Sequence, residues 1–137
     1  QAQLKAVLNI NIELQAQESE VFNTTKSEGS FDLLRYSWTA DFDDPINYLS
    51  MFVSTSSLNF NHVNDAEYDD AVASSNTALD QEERNTYLHD AEKILVDDNF
   101  YIIPVTTMHY IGLRKPDITG VTYDGTGLTL YRYADRG

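Results

Sequence analysis

Apolar residues recur along this chain at two spacings, and the change from one to the other divides it into predicted helices and strands. Gln1–Leu8 sets Leu4, Val7 and Leu8 on one helical face. Asn9–Leu14 alternates Ile10, Ile12 and Leu14 with polar residues, the pattern of a half-buried strand. Glu18–Ser27 reads as a helix with Val21 and Phe22 inward, closed by Gly29 in a left-handed cap. Phe31–Trp38 is rich in apolar and aromatic residues and predicts a central strand covered on both faces.

Asp44-Pro45 is a helix start, with Asp44 as cap and a helix running through Tyr48, Leu49 and Phe52. Ser54–Asn64 predicts a loop. Asp65–Leu79 carries Tyr68, Val72, Ser75 and Leu79 on one stripe. Asp80 with Glu83 forms a capping box for a further helix, whose buried face is Tyr87, Leu88, Ala91, Ile94 and Leu95. Phe100–Thr106 and Met108–Leu113 predict strands. Pro104 confines the first of them to an edge or a bulge, because it has no amide hydrogen. Arg114–Asp117 is a turn, Asp124–Gly127 a loop, and Leu128–Tyr133 a last strand-like run. The order of elements is that of an α/β fold without internal repeats.

Length and charge narrow the function. The 137 residues suffice for one domain with a core, and 42% of them are hydrophobic. Twenty-two acidic residues against nine Lys and Arg give a net charge of −13, which repels nucleic acid and anionic lipid. There is no Cys, so thiol catalysis and Cys-based zinc sites are excluded. No apolar run reaches the ~18 residues of a membrane span. The first helix begins in mid-pattern without a cap, as expected of a piece cut from a longer chain.

The chemistry concentrates in RYSWTADFDDP, Arg35 to Pro45, which holds the only Trp and three carboxylates. A glycosidase would need two of Asp41, Asp43 and Asp44 to flank a sugar, and these stand close together in sequence for that. A carboxylate hydrolase would depend on Asp43. His62, His89 and His109 share no ligand spacing. The three Asp do not match the calcium loop, and no phosphate loop or nucleophile elbow occurs. Binding is the remaining class. In open α/β sheets ligands sit beyond the carboxyl ends of strands, where Trp38 to Asp41 would lie. Asp41 could hold a ligand ammonium, Trp38 could offer an apolar or cation–π wall, and Arg35 could take a carboxylate. A zwitterion grip and a mutual neutralisation of Arg35 and Asp41 are equally open at this point. A non-enzymatic interaction domain using the Tyr-rich tail is a third class.

SWTADFDDPINYL, followed by Asn61-His62-Val63-Asn64-Asp65-Ala66-Glu67-Tyr68-Asp69 and Ile102-Ile103-Pro104-Val105, resembles the C-terminal lobe of the periplasmic oligopeptide-binding proteins. These are the extracellular solute-binding proteins of family 5, which feed ABC importers. The resemblance runs from about Leu4 to Tyr133, carried by the order of its elements. It implies part of a bilobal protein of the type II periplasmic-binding-protein fold, a mixed sheet flanked by helices. Residues 1–113 would be the lobe portion, and 114–137 a return segment crossing toward an N-terminal lobe. It further implies that Asp41 receives a peptide α-ammonium and that Trp38 lines the cleft. Thr39 and Ala40 would pair with the peptide backbone, and Arg35 would meet the carboxylate of short peptides. Ser19, Asn23 and Lys26 fall where known binders carry bulky apolar or basic pocket residues. The implied partners are an oligopeptide and the membrane permease subunits of an ABC transporter. No cofactor, nucleic acid or direct membrane insertion is expected. The location would be periplasmic or extracellular at the cell envelope, with a lipid-anchored form as one option. Other family members bind opines, nickel chelates or oligosaccharides, and a half-cleft alone is not expected to hold a ligand.

Overall fold

The computed structural model describes residues 1–109 and 111–137. The chain forms two units, Gln1–Leu34 and Arg35–Gly137. The first holds two helices, α1 (Ala2–Leu8) and α2 (Ser19–Glu28). Asn9 ends α1 in the left-handed conformation, at φ 55°, and Lys5 Nζ donates to its side chain at 2.8 Å. Gly29 ends α2 at φ 65°, and its amide donates to the carbonyls of Lys26 and Thr25, the cap that the sequence predicts. No residue of α1 or α2 is buried within the unit. Phe22 is half-buried, whereas Val21, expected inward, is 54% exposed.

The second unit carries the core. Its helices are α3 (Ile46–Leu49, continued by a tight turn over Ser50–Phe52), α4 (Ala66–Ser75) and α5 (Gln81–Lys93). The chain widens to a π turn over Ile94–Asp98 before leaving α5. Tyr68, Ala71 and Val72 of α4 cluster with Leu88, Ala91 and Leu95, with Leu49 of α3 closing the cluster; Ser75 is buried on the same stripe of α4. These spacings, i, i+3, i+4 and i+7, put every buried residue on one stripe of its helix. Both long helices are capped as their sequences require. Asp65 accepts from the Tyr68 amide at 3.1 Å, and Asp80 from the Glu83 amide at 2.8 Å. Glu83 reaches back to the Leu79 amide at 2.8 Å, one residue before the expected partner.

Helix α4 stops at Ser75, four residues short of the expected end. Ser75 Oγ and Asn76 Nδ2 both donate to the Val72 carbonyl, and Thr77 Oγ1 donates to that of Ser74. Side chains of this kind compete with the helix for its last acceptors. Leu79 therefore lies beyond the stripe and is 95% exposed.

Two side chains bind the loop before α4. Asn59 closes on Val63, accepting from its amide at 2.9 Å and donating to its carbonyl at 2.7 Å. Asp69 accepts from both the amide and the hydroxyl of Ser54. Past α5, Tyr101 donates to Asp65 at 3.2 Å, and its carbonyl accepts from Asn61 Nδ2 at 2.7 Å.

The expected strands are shorter or absent. β1 (Ile118–Thr119), β2 (Thr122–Tyr123), β3 (Thr129–Leu130) and β4 (Asp135–Arg136) form two antiparallel ribbons, β1 with β4 and β2 with β3. Ile118 pairs with Arg136 in one, and Thr122 with Leu130 in the other. Gly120, at φ 70°, lets the first ribbon close, because a Cβ there would stand 1.7 Å from the Tyr133 carbonyl oxygen. Asn9–Leu14, Phe31–Trp38 and Phe100–Thr106 are not strands. The expected strand Met108–Leu113 includes Tyr110, which lies outside the described residues; its other members are not in strand. A strand needs a neighbour to receive its N–H and C=O groups, and among the described residues these segments have none.

An ion pair also ties α5 to the residue that precedes the start of α3. Arg84 of α5 donates to Asp44 Oδ1 at 2.8 Å, and the same oxygen accepts from the Ile46 amide at 2.9 Å. The Arg84 hydrogen bond first, then that of the Ile46 amide, holds the Asp44 carboxyl below its ordinary 3.8. Its stabilising contribution is complete above that unfolded-state value and is lost as the pH falls below it, through the folded value. We expect the stability gap between wild type and Asp44→Asn to be constant near neutrality and to close as the pH drops below 3.8, read by urea unfolding. Tyr68 is fully buried and donates to the Leu49 carbonyl at 2.6 Å. Tyr68→Phe should lower stability by about 1–2 kcal/mol, since it leaves that buried acceptor unpaired. An unchanged urea midpoint would refute this role.

Candidate functional site

From Arg35 to Ala40 the second unit is neither helix nor strand, and it then bends over Asp41–Asp44 into α3. Tyr36 and Trp38, two residues apart, bring their rings together. Their rings lie 6.4 Å apart, and Tyr36 meets Phe60 edge-on at 5.9 Å. Trp38 is half-buried, and its indole Nε1 donates to Asn47 Oδ1 at 3.0 Å. Asn47 lies on α3 and is 6% exposed. The indole is thus held at its polar edge by a buried amide and has the Tyr36 ring beside it.

The three carboxylates of the bend have three different surroundings. Asp44 is engaged by Arg84 and Ile46. Asp43 lies against the backbone of Gly125, where a Cβ would stand 2.1 Å from Asp43 Oδ2. The loop carrying Gly125 is itself fixed by Asp124, which accepts from Thr126 Oγ1 and from the Leu128 amide, both at 2.8 Å. These bonds, that of the Thr126 hydroxyl above all, hold Asp124 below its ordinary carboxyl value. Asp41 is exposed, and among the described residues its side chain has neither a hydrogen bond nor an ion pair.

Arg35 and Thr39 are exposed, and Ala40 is half-buried. Among the described residues Arg35 and Asp41 form no ion pair with each other, so neither neutralises the other. The backbone groups of Trp38, Thr39 and Ala40 make no hydrogen bond among the described residues. Ser19, Asn23 and Lys26 belong to the first unit and recur at i, i+4 and i+7, one face of α2. Ser19 and Asn23 are exposed. Lys26 is half-buried, with its ammonium 5.9 Å from the centre of the Phe22 ring. A shallow recess of this unit is lined by Gln1, Ala2, Lys5, Ile10, Asn11 and Ile12 and includes none of the three. Among the described residues no helix is long and apolar enough to cross a membrane.

The sequence reading missed Asn47, Tyr36 and Phe60. Tyr36 was within reach, because it shares the period of two with Trp38. Asn47 carried no signal, since its contact with Trp38 spans a bend of nine residues.

No family model matches the chain. The periplasmic oligopeptide-binding protein OppA of Escherichia coli (strain K12) is 32% identical over 120 residues, 86% of this chain and 22% of the relative. Among solved structures, the periplasmic murein tripeptide-binding protein MppA in its unliganded open form is 33% identical, with a TM-score of 0.67 over 69% of this chain and 18% of that one. The pheromone receptor PrgZ, solved for its mode of peptide binding, is 25% identical, with a TM-score of 0.73 over all of this chain and 26% of its own. The chain spans 22% of the curated relative's length, about a fifth. Over most of its residues the chain is a homologue of the oligopeptide-binding proteins, the solute-binding proteins of family 5.

Proposed function

We propose that this chain is part of the substrate-binding component of a peptide ABC importer and contributes one side of a cleft for extended peptides. The observation that carries this reading is Asp41. Of the three acids in the bend, Asp44 is held by Arg84 and Asp43 packs on Gly125. Asp41 is exposed beside the anchored Trp38 with no cation of its own among the described residues. It is left to receive a ligand's ammonium group, and desolvation by the ligand would strengthen that contact.

The other roles follow from what each group presents. The unpaired main chain at Thr39 and Ala40 suits a peptide that adds as a neighbouring strand. Arg35 supplies a cation for the carboxylate of a short peptide. Taken by itself, the face of α2 that carries Ser19, Asn23 and Lys26 suits small or polar side chains. Main-chain pairing dominates in this mode, so discrimination between peptide sequences is low. Residues 1–113 would form the lobe portion, with 114–137 returning toward a second lobe. The partners would be an oligopeptide and the permease subunits of the importer, at the outer side of the cell envelope. No residue is assigned a catalytic step, in keeping with relatives that are named as binding proteins.

In the whole natural protein, Asp41→Ala should weaken tripeptide binding by about 2–5 kcal/mol, the usual cost of removing one partner of a buried charge pair. N-acetylation of the peptide should produce a comparable loss. Calorimetry giving equal affinities for free and acetylated peptides would discard the ammonium role.

A further inference from the structure

We infer that Asn47 is a positioning residue, one that orients the Trp38 indole for the ligand without touching the ligand itself. The inference rests on the peptide-binding reading above and extends it to a residue outside the cleft-facing run. Asn47 is buried at 6% exposure, yet it is polar. A buried carboxamide is costly unless its groups are paired, and its oxygen is paired with the indole Nε1 at 3.0 Å.

The bond fixes the ring at one edge. Tyr36 limits it from another side, with ring centres 6.4 Å apart, and is itself braced by Phe60. The support behind Asn47 is equally specific. Asn47 sits in the first turn of α3, where its amide donates to the Asp44 carbonyl at 3.0 Å. Asp44 is held in turn by Arg84 of α5 at 2.8 Å. A contiguous run of hydrogen bonds therefore leads from the helical core to the indole. An indole with two rotatable side-chain bonds, anchored at its nitrogen, presents a pre-set wall, and pre-setting reduces the ordering cost that a ligand must meet.

Asn47→Leu removes the acceptor at similar volume, whereas Asn47→Asp keeps both shape and acceptor. Trp38 is the only Trp of the 137 residues, so its indole N–H gives a single signal in nitrogen-edited NMR of this chain. That proton should be protected from solvent exchange in wild type and in Asn47→Asp, and should exchange freely in Asn47→Leu, with far-UV circular dichroism unchanged. In the whole natural protein, the affinity for the tripeptide Ala-Ala-Ala should fall about tenfold in Asn47→Leu, the weight of one net hydrogen bond, and recover in Asn47→Asp.

The second test removes the donor. In a Trp38→Phe background, Asn47→Leu should cost no further affinity, because the two residues act as one unit. An unprotected indole N–H in wild type, an unchanged affinity in Asn47→Leu, or an undiminished loss in the Trp38→Phe background would overturn the assignment. If the wild-type protein takes up no tripeptide, the peptide reading fails, and the exchange measurement alone decides whether the anchor exists.

Discussion

The carboxylate of Asp44 joins α5, through Arg84, to the bend that precedes α3. On one side stands the α3–α4–α5 core, held by a stripe of apolar residues and the buried Tyr68 hydroxyl. On the other is the bend over Asp41–Asp44, where the candidate site lies. Pro45, not Asp44, is the N-cap of α3; Asp44 stands one residue earlier, where its carboxylate accepts from the Ile46 amide and from Arg84 together. A partly exposed pair of this kind adds only modest stability by itself. Its importance is geometric, since it fixes where α3 begins and hence where Asn47 meets Trp38.

The helices were legible because each writes its own boundaries. Asp80 acts as the cap expected of it, and the expected stripes contain the buried residues, with Tyr87 and Ile94 at their half-buried margins. The misreadings have local causes. Leu79 continues the helical period past the point where Ser75, Asn76 and Thr77 have already taken the last carbonyls. Strands are different, because their stability resides in another segment. Ile10, Ile12 and Leu14, or Ile103 and Val105, carry the correct alternation, but alternation reports a face to be covered and not the neighbour that covers it. The turn chemistry at Asp124–Gly127 was legible, since Asp and Gly state a conformation without needing a partner.

The candidate site was legible only in part. The crowding of Trp38 with Asp41, Asp43 and Asp44 marked the run, but residue types alone could not say which acid was already committed. That distinction depends on Arg84, forty positions away, and on Gly125. The packing of the bend separates the two acids that are engaged from Asp41, which among the described residues has no ion pair.

The run after α5 has a further consequence. Ile103 and Val105 are 68% and 89% exposed, on either side of Pro104. Any chain that paired with this segment would find no N–H donor at the middle of the row, because the imino acid has none.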